Sequence, residues 1–460
     1  MEKTWIEKAV EIVPSPRQVA WNCMEFYGFV HFGLYTFDRE HEFATGPEIF
    51  NPVNFDARQW VKAYKAAGMT GLLLTCKHHE GFCLWPSKYT EFSVKNSPWK
   101  DGKGDIVKEV SEACREEGLK FGVYLSPWDV HEETYGTPAY NDYFCNQLTE
   151  LCSNYGELFC VWFDGACRTA DKVQGYDWDR YYSLIRKLQP NACISICGPD
   201  VRWIGNEAGE SREEEWSVVP KSIMVTERNP GYWRQLDTMP NSTWKDIGSR
   251  DFINDYDELI WYPAEVDVSI RPSWGYVEGE EKQLYSLETL LYMYEKAVGG
   301  NATLLLNVPP NKEGLFDLED VERLAELGKA IRGLFSRPQT TGAKAFQKNR
   351  SNAEAILDAD RTHFVELAGE CQEIEIQLQG EHTIDFIVLK ETIEKGQRVE
   401  KFAVDIWRED QWKEVYQATT IGYQRFGRIE PVQTERVRVR ILESRGTVYL
   451  TEIGLYHTEK

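Results

Sequence analysis

The sequence predicts an α/β protein: a TIM-like (β/α)8 barrel followed by an all-β sandwich. Two patterns carry that expectation. From about residue 25, short and nearly continuous apolar segments alternate with amphipathic stretches of helical period. Strands apolar on both faces belong to a parallel sheet covered by helices, because a sheet with one wet face alternates polar and apolar residues. Beyond about residue 339 that alternation appears, so the end of the chain reads as antiparallel strands with one buried face. The 460 residues exceed what one ordinary core supports, and we expect a barrel over 1–338 and a sandwich over 339–460.

The elements follow in order. "FYGFVHFGLYTF" reads as the first strand. Asp56 then N-caps a helix, with Gln59 placed for a capping box and Trp60, Val61 and Tyr64 as its apolar stripe before Gly68. "GLLLTCKHH" is the second strand, and its helix carries Ile106, Val107, Val110, Ala113 and Cys114 at helical spacing up to Gly118. "KFGVYLSPWD", the helix around "YFCNQLTELCSNYG" and the strand "LFCVWFDGACRT" continue the pattern. "DWDRYYSLIRKLQP" leads to a fifth strand, "ACISICGP". The sixth unit falls in an irregular segment. "EVDVSI", "SLETLLYMYEKAVGG", "NATLLLNVPP" and "EDVERLAELGKAIRGLF" complete seven or eight units. No GxGxxG follows the first strand, which argues against a dinucleotide-binding sheet. After "SRPQTTGAKAF" the period becomes two: Ile374, Ile376 and Leu378, then Phe402, Val404 and Ile406, then Val437, Val439 and Ile441 share faces.

Composition narrows the function. A net charge of −22 without a basic run argues against nucleic acid, since phosphate binding needs concentrated positive charge. No apolar run approaches the ~20 residues that cross a bilayer, and "MEKTWIEKAV" does not have the form of a signal peptide. None of the 11 cysteines forms a paired CxxC framework; Cys76, Cys114, Cys160 and Cys193 sit within predicted elements as small hydrophobes. Aromatic residues make up 13% of the chain, and many fall in loops, where they suit stacking on the apolar faces of sugar rings.

Barrel chemistry sits at the C-terminal ends of the strands. Those ends carry His31, then Lys77, His78 and His79, then Tyr124 to Trp128 and Asp129, then Asp164. Later loops add Glu207 in "RWIGNEAG" and Arg271 and Trp274 in "SIRPSWGY". Each also has a structural reading. Asp164 can cap the next helix or pair with Arg168, Glu207 can be solvated, Arg271 can pair with a carboxylate and Trp274 can be core. His78 and His79 would face opposite ways on a continuing strand, and no HxH or HExxH spacing supports a metal. His41 and His131 read as surface residues. Two carboxylates, several imidazoles and aromatics around a pocket, without metal or cofactor, fit glycoside hydrolysis. One carboxylate attacks or stabilises an oxocarbenium-like centre while the other protonates the leaving oxygen.

Taken together, "HFG", "KHHEGF", "GVYLSPWD", "VWFDGA", "GNEAG", "VDVSIRP" and "LLLNVPPNKEGLF", in that order from about Pro14 to Leu334, resemble the α-L-fucosidases of glycoside hydrolase family 29. The resemblance implies a retaining mechanism with Asp164 as nucleophile and Glu207 as acid/base, the two roughly 5 to 5.5 Å apart. It implies that His31, His78, His79 and Tyr124 hold the fucose, with Trp128 beside them and Arg271 and Trp274 as the later pocket wall. Asp164 is then expected among hydrogen-bond donors and Glu207 in a buried setting. The implied partner is a fucosylated oligosaccharide or glycoprotein glycan, with no cofactor, and the implied compartment is the periplasm or the exterior. "GNEAG" is similar to the branch that prefers α-1,3 and α-1,4 fucose, but "RPSWGYV" stands where that branch often has "RPGWFYH", a departure on the aglycone side. The rival expectations are a fucose-binding lectin without turnover and a glycosidase for a related sugar such as L-galactose. The C-terminal half resembles a galactose-binding-like, discoidin-type sandwich, notably in "VYLTEIGLY"; such modules either bind sugar or only brace the barrel, and bracing is the expectation here.

Overall fold

A computed structural model describes residues 4–41, 43–166, 172–228, 238–348, 351–369 and 372–458. Helices α1 (Trp5–Glu11) and α2 (Pro16–Asn22) precede the barrel. The barrel strands are β1 (Phe26–Val30), β2 (Gly71–Lys77), β3 (Lys120–Leu125), β4 (Leu158–Phe163), β5 (Cys193–Ile196) and β6 (Arg202–Trp203). After an antiparallel excursion, β7 (Val218–Pro220) with β8 (Leu259–Trp261), come β9 (Ala264–Ser269) and β10 (Ala302–Asn307). The eight-stranded sheet runs β5-β4-β3-β2-β1-β10-β9-β6, and its paired strands are parallel. A parallel bridge between Ser195 and Val201 links its two ends into a near-closed barrel. The irregular sixth unit is explained by β6: two residues carry no readable period.

Both faces of these strands are buried, for different reasons. Tyr27, Phe29, Leu73, Tyr124, Cys160, Trp162 and Leu305 point into the barrel and form one core. The alternate residues, among them Val30, Leu72, Leu74, Val123, Val161, Leu304 and Leu306, pack outward under the helices in a second. This double burial produces the continuous apolar runs in the sequence.

The covering helices are α3 (Ala57–Ala67), α4 (Ile106–Glu117), α5 (Ala139–Asn154), α6 (Trp178–Leu188), α7 (Lys221–Glu227), α8 (Arg250–Ile253), α9 (Leu287–Val298) and α10 (Leu318–Leu334). Asp56 caps α3 by accepting from the Arg58 N–H, and Gly68, at φ 86°, ends the helix in the left-handed conformation that suits glycine. Gln59 does not complete the expected capping box. It reaches instead to the backbone of Phe316, donating to O at 2.9 Å and accepting from N at 3.0 Å, and so ties α3 to the segment before α10.

The first strand is shorter than its sequence suggested. It stops at Val30, and Leu34–Thr36 form a buried 3-10 turn. The strand of His78 and His79 likewise stops at Lys77, which matters for the site.

The C-terminal strands are β11 (Lys344–Gln347), β12 (Val365–Leu367), β13 (Glu373–Glu391), β14 (Val399–Arg408), β15 (Gln411–Ala418), β16 (Arg425–Ser444) and β17 (Val448–Tyr456). They pair antiparallel in the order β12-β17-β13-β16-β14-β15, with β11 on β13. Ile374 lies opposite Val439 and Ile376 opposite Val437, while Val404 and Ile406 flank the same two valines from β14. All six are buried in one apolar core. The opposite face carries ion pairs such as Arg436 with Glu375 and Arg440 with Asp405. Phe386 and Phe426 leave this sheet to join the barrel's outer core beside Phe335.

The cysteines at 76, 114, 160 and 193 are buried thiols whose burial raises their pKa; Cys167 and Cys371 lie outside the described residues. Among the described residues no helix is long and apolar enough to cross a membrane.

Candidate active site

Asp164 is the residue that follows β4, placed at the barrel mouth by a strand packed on both faces. Its Oδ2 accepts a hydrogen bond from the Tyr124 hydroxyl at 2.9 Å and its Oδ1 accepts from the Ala166 N–H at 2.7 Å. Burial first, then the charge of Asp164, pushes the Tyr124 phenol far above its ordinary pKa, so it stays a proton donor. Arg168, the alternative partner for Asp164, lies outside the described residues.

Two histidines declare their tautomers through their neighbours. Ser126 donates its hydroxyl proton to the Trp128 carbonyl at 2.6 Å, so its oxygen can only accept from His79 Nδ1, 2.7 Å away. Nδ1 of His79 therefore carries a proton, and Nε2 turns toward Asp164, 3.7 Å from Oδ2. Asn307 donates through Nδ2 to Ser269 Oγ and the Trp274 carbonyl, which leaves Oδ1 to accept from His31 Nδ1 at 2.8 Å. His31 is held neutral: burial, then the nearby His78, lower its pKa to about 3, and Nε2 is left as an acceptor.

His78 and His79 do not face opposite ways. Because β2 ends at Lys77, the two rings lie side by side with centroids 4.0 Å apart, and His78 stacks on Tyr124 at 5.9 Å. Trp128 packs on His79 at 4.7 Å. Below them Lys77 is fully buried and paired with Asp129 at 2.7 Å, which fixes the second strand end to the third.

Glu207 comes from the loop after β6, and the Trp274 indole donates to its Oε2 at 3.2 Å. Trp274 in turn packs on His31, centroids 5.2 Å apart, so contacts run from Glu207 through Trp274, His31 and Tyr124 to Asp164. One expectation needs correction. Glu207 is exposed rather than buried, because its loop stands above the strand ends. Arg271 is fully buried and held by Asp320 at 2.6 Å and Asp317 at 2.9 Å, two carboxylates at the start of α10. Burial, opposed by this arginine, raises Asp320 to about 6. Arg271 secures the loop that carries Trp274.

Sequence reasoning missed two acids. Glu265 and Asp267 alternate along β9 with outward Val266 and Val268, so both point into the barrel. Glu265 accepts from Trp162 Nε1 at 2.6 Å and from the Tyr27 hydroxyl. Asp267 accepts from Trp203 Nε1 at 2.7 Å. Burial, then the charge of Glu207, raises Asp267 to about 8, with Asp164 adding to the shift. Asn307 was missed as well, since a polar residue ending "LLLN" carries no signal of the imidazole it holds.

The comparisons with known proteins give the family. A family model described as α-L-fucosidase matches residues 17–332. The chain is 36% identical to α-L-fucosidase 1 of Arabidopsis thaliana over 464 residues, covering 96% of this chain and 87% of that one. Among solved structures it is similar to SpGH29, with 35% identity, a TM-score of 0.87 and 97% and 99% of the two chains covered. It is also similar to a Ruminococcus gnavus GH29 fucosidase in complex with fucose, with 29% identity, a TM-score of 0.85 and 98% and 96% covered. The chain belongs to the α-L-fucosidase family, glycoside hydrolase family 29.

Proposed function

We propose that this α-L-fucosidase removes terminal α-1,3- or α-1,4-linked L-fucose from glycans with retention of configuration, Asp164 acting as nucleophile and Glu207 as acid/base. The observation that carries the reading is the setting of Asp164. It sits at the end of a buried strand with a donor on each oxygen, beneath a loop that brings a second carboxylate.

In the first step an Asp164 oxygen forms a bond to the anomeric carbon as the glycosidic C–O bond breaks, and Glu207 gives its proton to the departing oxygen. In the second, Glu207 takes a proton from water, whose oxygen displaces Asp164 and releases fucose. Tyr124 sheds no proton; it holds Oδ2 in place. His31 and His79 offer Nε2 atoms to sugar hydroxyls, and Trp274 and Trp128 supply apolar walls that suit the sugar's hydrophobic face and its methyl group.

The linkage preference rests on the "GNEAG" form of the acid/base loop. The departure in "RPSWGYV" has a local counterpart: a side chain at Gly275 would begin 2.7 Å from the Tyr35 ring, so Tyr35 occupies that side of the mouth.

Asp164→Asn is expected to abolish fucose release while the melting temperature is kept. An active variant overturns the nucleophile assignment. A panel of Lewis-type, 2-linked and aryl fucosides, scored for released L-fucose, tests the preference: release confined to branched glycans supports it, and rapid cleavage of simple aryl fucosides removes it.

A further inference from the structure

The acid/base loop is held from outside the barrel. Residues 204–217 contain no helix or strand, and Glu207 near their start is exposed. Where such a carboxylate stands is set by the loop's anchors. The first half is fixed within the barrel. Gly205, at φ 104°, lies against the Ser242 carbonyl so closely that no side chain fits, and Ser211 Oγ donates to the Lys296 carbonyl at 2.6 Å.

The second half is held by the barrel, whose Arg202 Nη2 donates to the Trp216 carbonyl at 3.0 Å and whose Tyr262 N–H donates to the Ser217 carbonyl at 2.6 Å, and it is gripped as well by the C-terminal sheet. The Glu213 carbonyl accepts from Thr419 Oγ1 at 2.8 Å and from Arg425 Nη1 at 2.9 Å. Gln397, only 2% exposed, accepts from the Ser217 N–H at 2.8 Å and donates to the Glu215 carbonyl at 3.0 Å. That carbonyl also accepts from Asn301 Nδ2, and Asn301 Oδ1 accepts in turn from the Tyr423 N–H. Arg445 caps the segment, its guanidinium 3.4 Å from the centre of the Trp216 ring.

Apart from the Arg445 contact, these are directional bonds to backbone groups of the loop. Three sandwich segments, around 397, 419–425 and 445, converge on five consecutive loop residues, 213–217. A sheet whose only task was to cover apolar barrel surface would not need them.

We propose that the C-terminal sandwich is a positioning element for the acid/base, with Thr419, Arg425 and Gln397 as positioning residues that act on catalysis through the Glu207 loop. The inference rests on the reading of Glu207 given above. Its consequence is selective, because protonation matters most when the leaving oxygen is a poor leaving group. A loosened loop slows cleavage of oligosaccharides but not of a fucoside whose leaving group departs without an acid.

The test compares kcat/KM for a Lewis-type trisaccharide and for α-L-fucosyl fluoride in three proteins. The double variant Thr419→Val, Arg425→Met changes two half-buried residues, keeps their apolar stems and is expected to keep the melting temperature. Gln397→Met removes the buried bonds, and Glu207→Ala is the reference. In the double variant, kcat/KM for the trisaccharide is expected to fall about tenfold while the value for the fluoride stays within about twofold, a smaller copy of the Glu207→Ala pattern. Gln397→Met should show the same selectivity, with a lower melting temperature. If Glu207→Ala discriminates between the substrates and the double variant does not, the positioning role is overturned while the acid/base reading stands. If Glu207→Ala itself lowers both substrates equally, the acid/base reading falls and the positioning role falls with it.

Discussion

Asp267 shows how one buried group links the site to stability. Its carboxyl is raised to about 8 by burial and by the charges of Glu207 and Asp164, and it accepts the Trp203 indole proton on Oδ1. An unfolded aspartate titrates near ~3.9, so between about pH 4 and pH 8 the folded chain holds a proton that the unfolded chain has released. Stability from this group is therefore fully present below about pH 4 and is lost as pH rises through 8. Asp267→Asn keeps an oxygen for Trp203 and removes the titration. Its melting temperature is expected to fall less between pH 5 and pH 8 than that of the parent chain, and parallel curves would refute the assignment. The residue was legible in principle, since "EVDVSI" places two acids at a spacing of two in a strand otherwise apolar, which puts both on one buried face. It was read only as a strand because periodicity reports a face and not what faces it. The partners of Arg271 were hidden in the same way: Asp317 and Asp320 lie 46 and 49 residues later, and nothing local announces the pairing.

At the scale of elements, the buried Lys77–Asp129 pair joins the end of β2 to the loop after β3. Lys77 runs among the rings of Tyr143 and Phe144, at 5.4 and 5.5 Å, while Asp129 Oδ1 accepts from the N–H groups of His131 and Glu132. Removing the lysine leaves a carboxylate with its counter-ion gone, in a place water does not reach. Lys77→Met is thus expected to cost about 3–5 kcal/mol in denaturant unfolding and to lower activity, because His78, His79 and Trp128 stand on the two segments that the pair joins. A stability loss under about 1 kcal/mol would show that the two strand ends hold each other by packing alone. The elements themselves were largely legible, since β2, β4 and β10 are apolar on both faces and leave no other reading. The exceptions have local causes. "FYGFVHFGLYTF" looked longer than β1 because Phe32, Leu34 and Tyr35 are buried in a turn rather than in a strand. In the C-terminal sheet, register shifts between Gln377 and His382 break the period within β13, so one strand of 19 residues showed only its first part.

For the whole molecule, the question is whether barrel and sandwich melt as one. Phe335, Phe386, Phe426 and Tyr456 form a ring cluster with centroids 5.1 to 6.4 Å apart, drawn from the C-cap of α10 and from β13, β16 and β17. Phe386 and Phe426 are buried, Phe335 and Tyr456 half-buried; a fully buried aromatic side chain contributes about 1.5–3 kcal/mol, so separating the two parts would forfeit that for the first two and a fraction of it for the others. The buried Gln397 and Asn301 bonds add to this cost, since each would leave polar groups to be resolvated. Glu391 strengthens the same junction. Its carboxyl, raised to about 7 by burial, accepts from the N–H groups of Arg398, Val399 and Gly422, and so shapes both the turn that presents Gln397 and the loop that meets Asn301. An interface this apolar and this closely hydrogen-bonded behaves as interior rather than as a hinge between domains. Calorimetry is therefore expected to give one unfolding transition, its van't Hoff enthalpy close to the calorimetric value. Glu391→Leu should lower that transition or split it in two, by releasing the turn and the loop together. Two separate transitions in the unaltered chain would mean that the sandwich comes away first, and the Glu207 loop would then lose its outer anchors before the barrel itself unfolds.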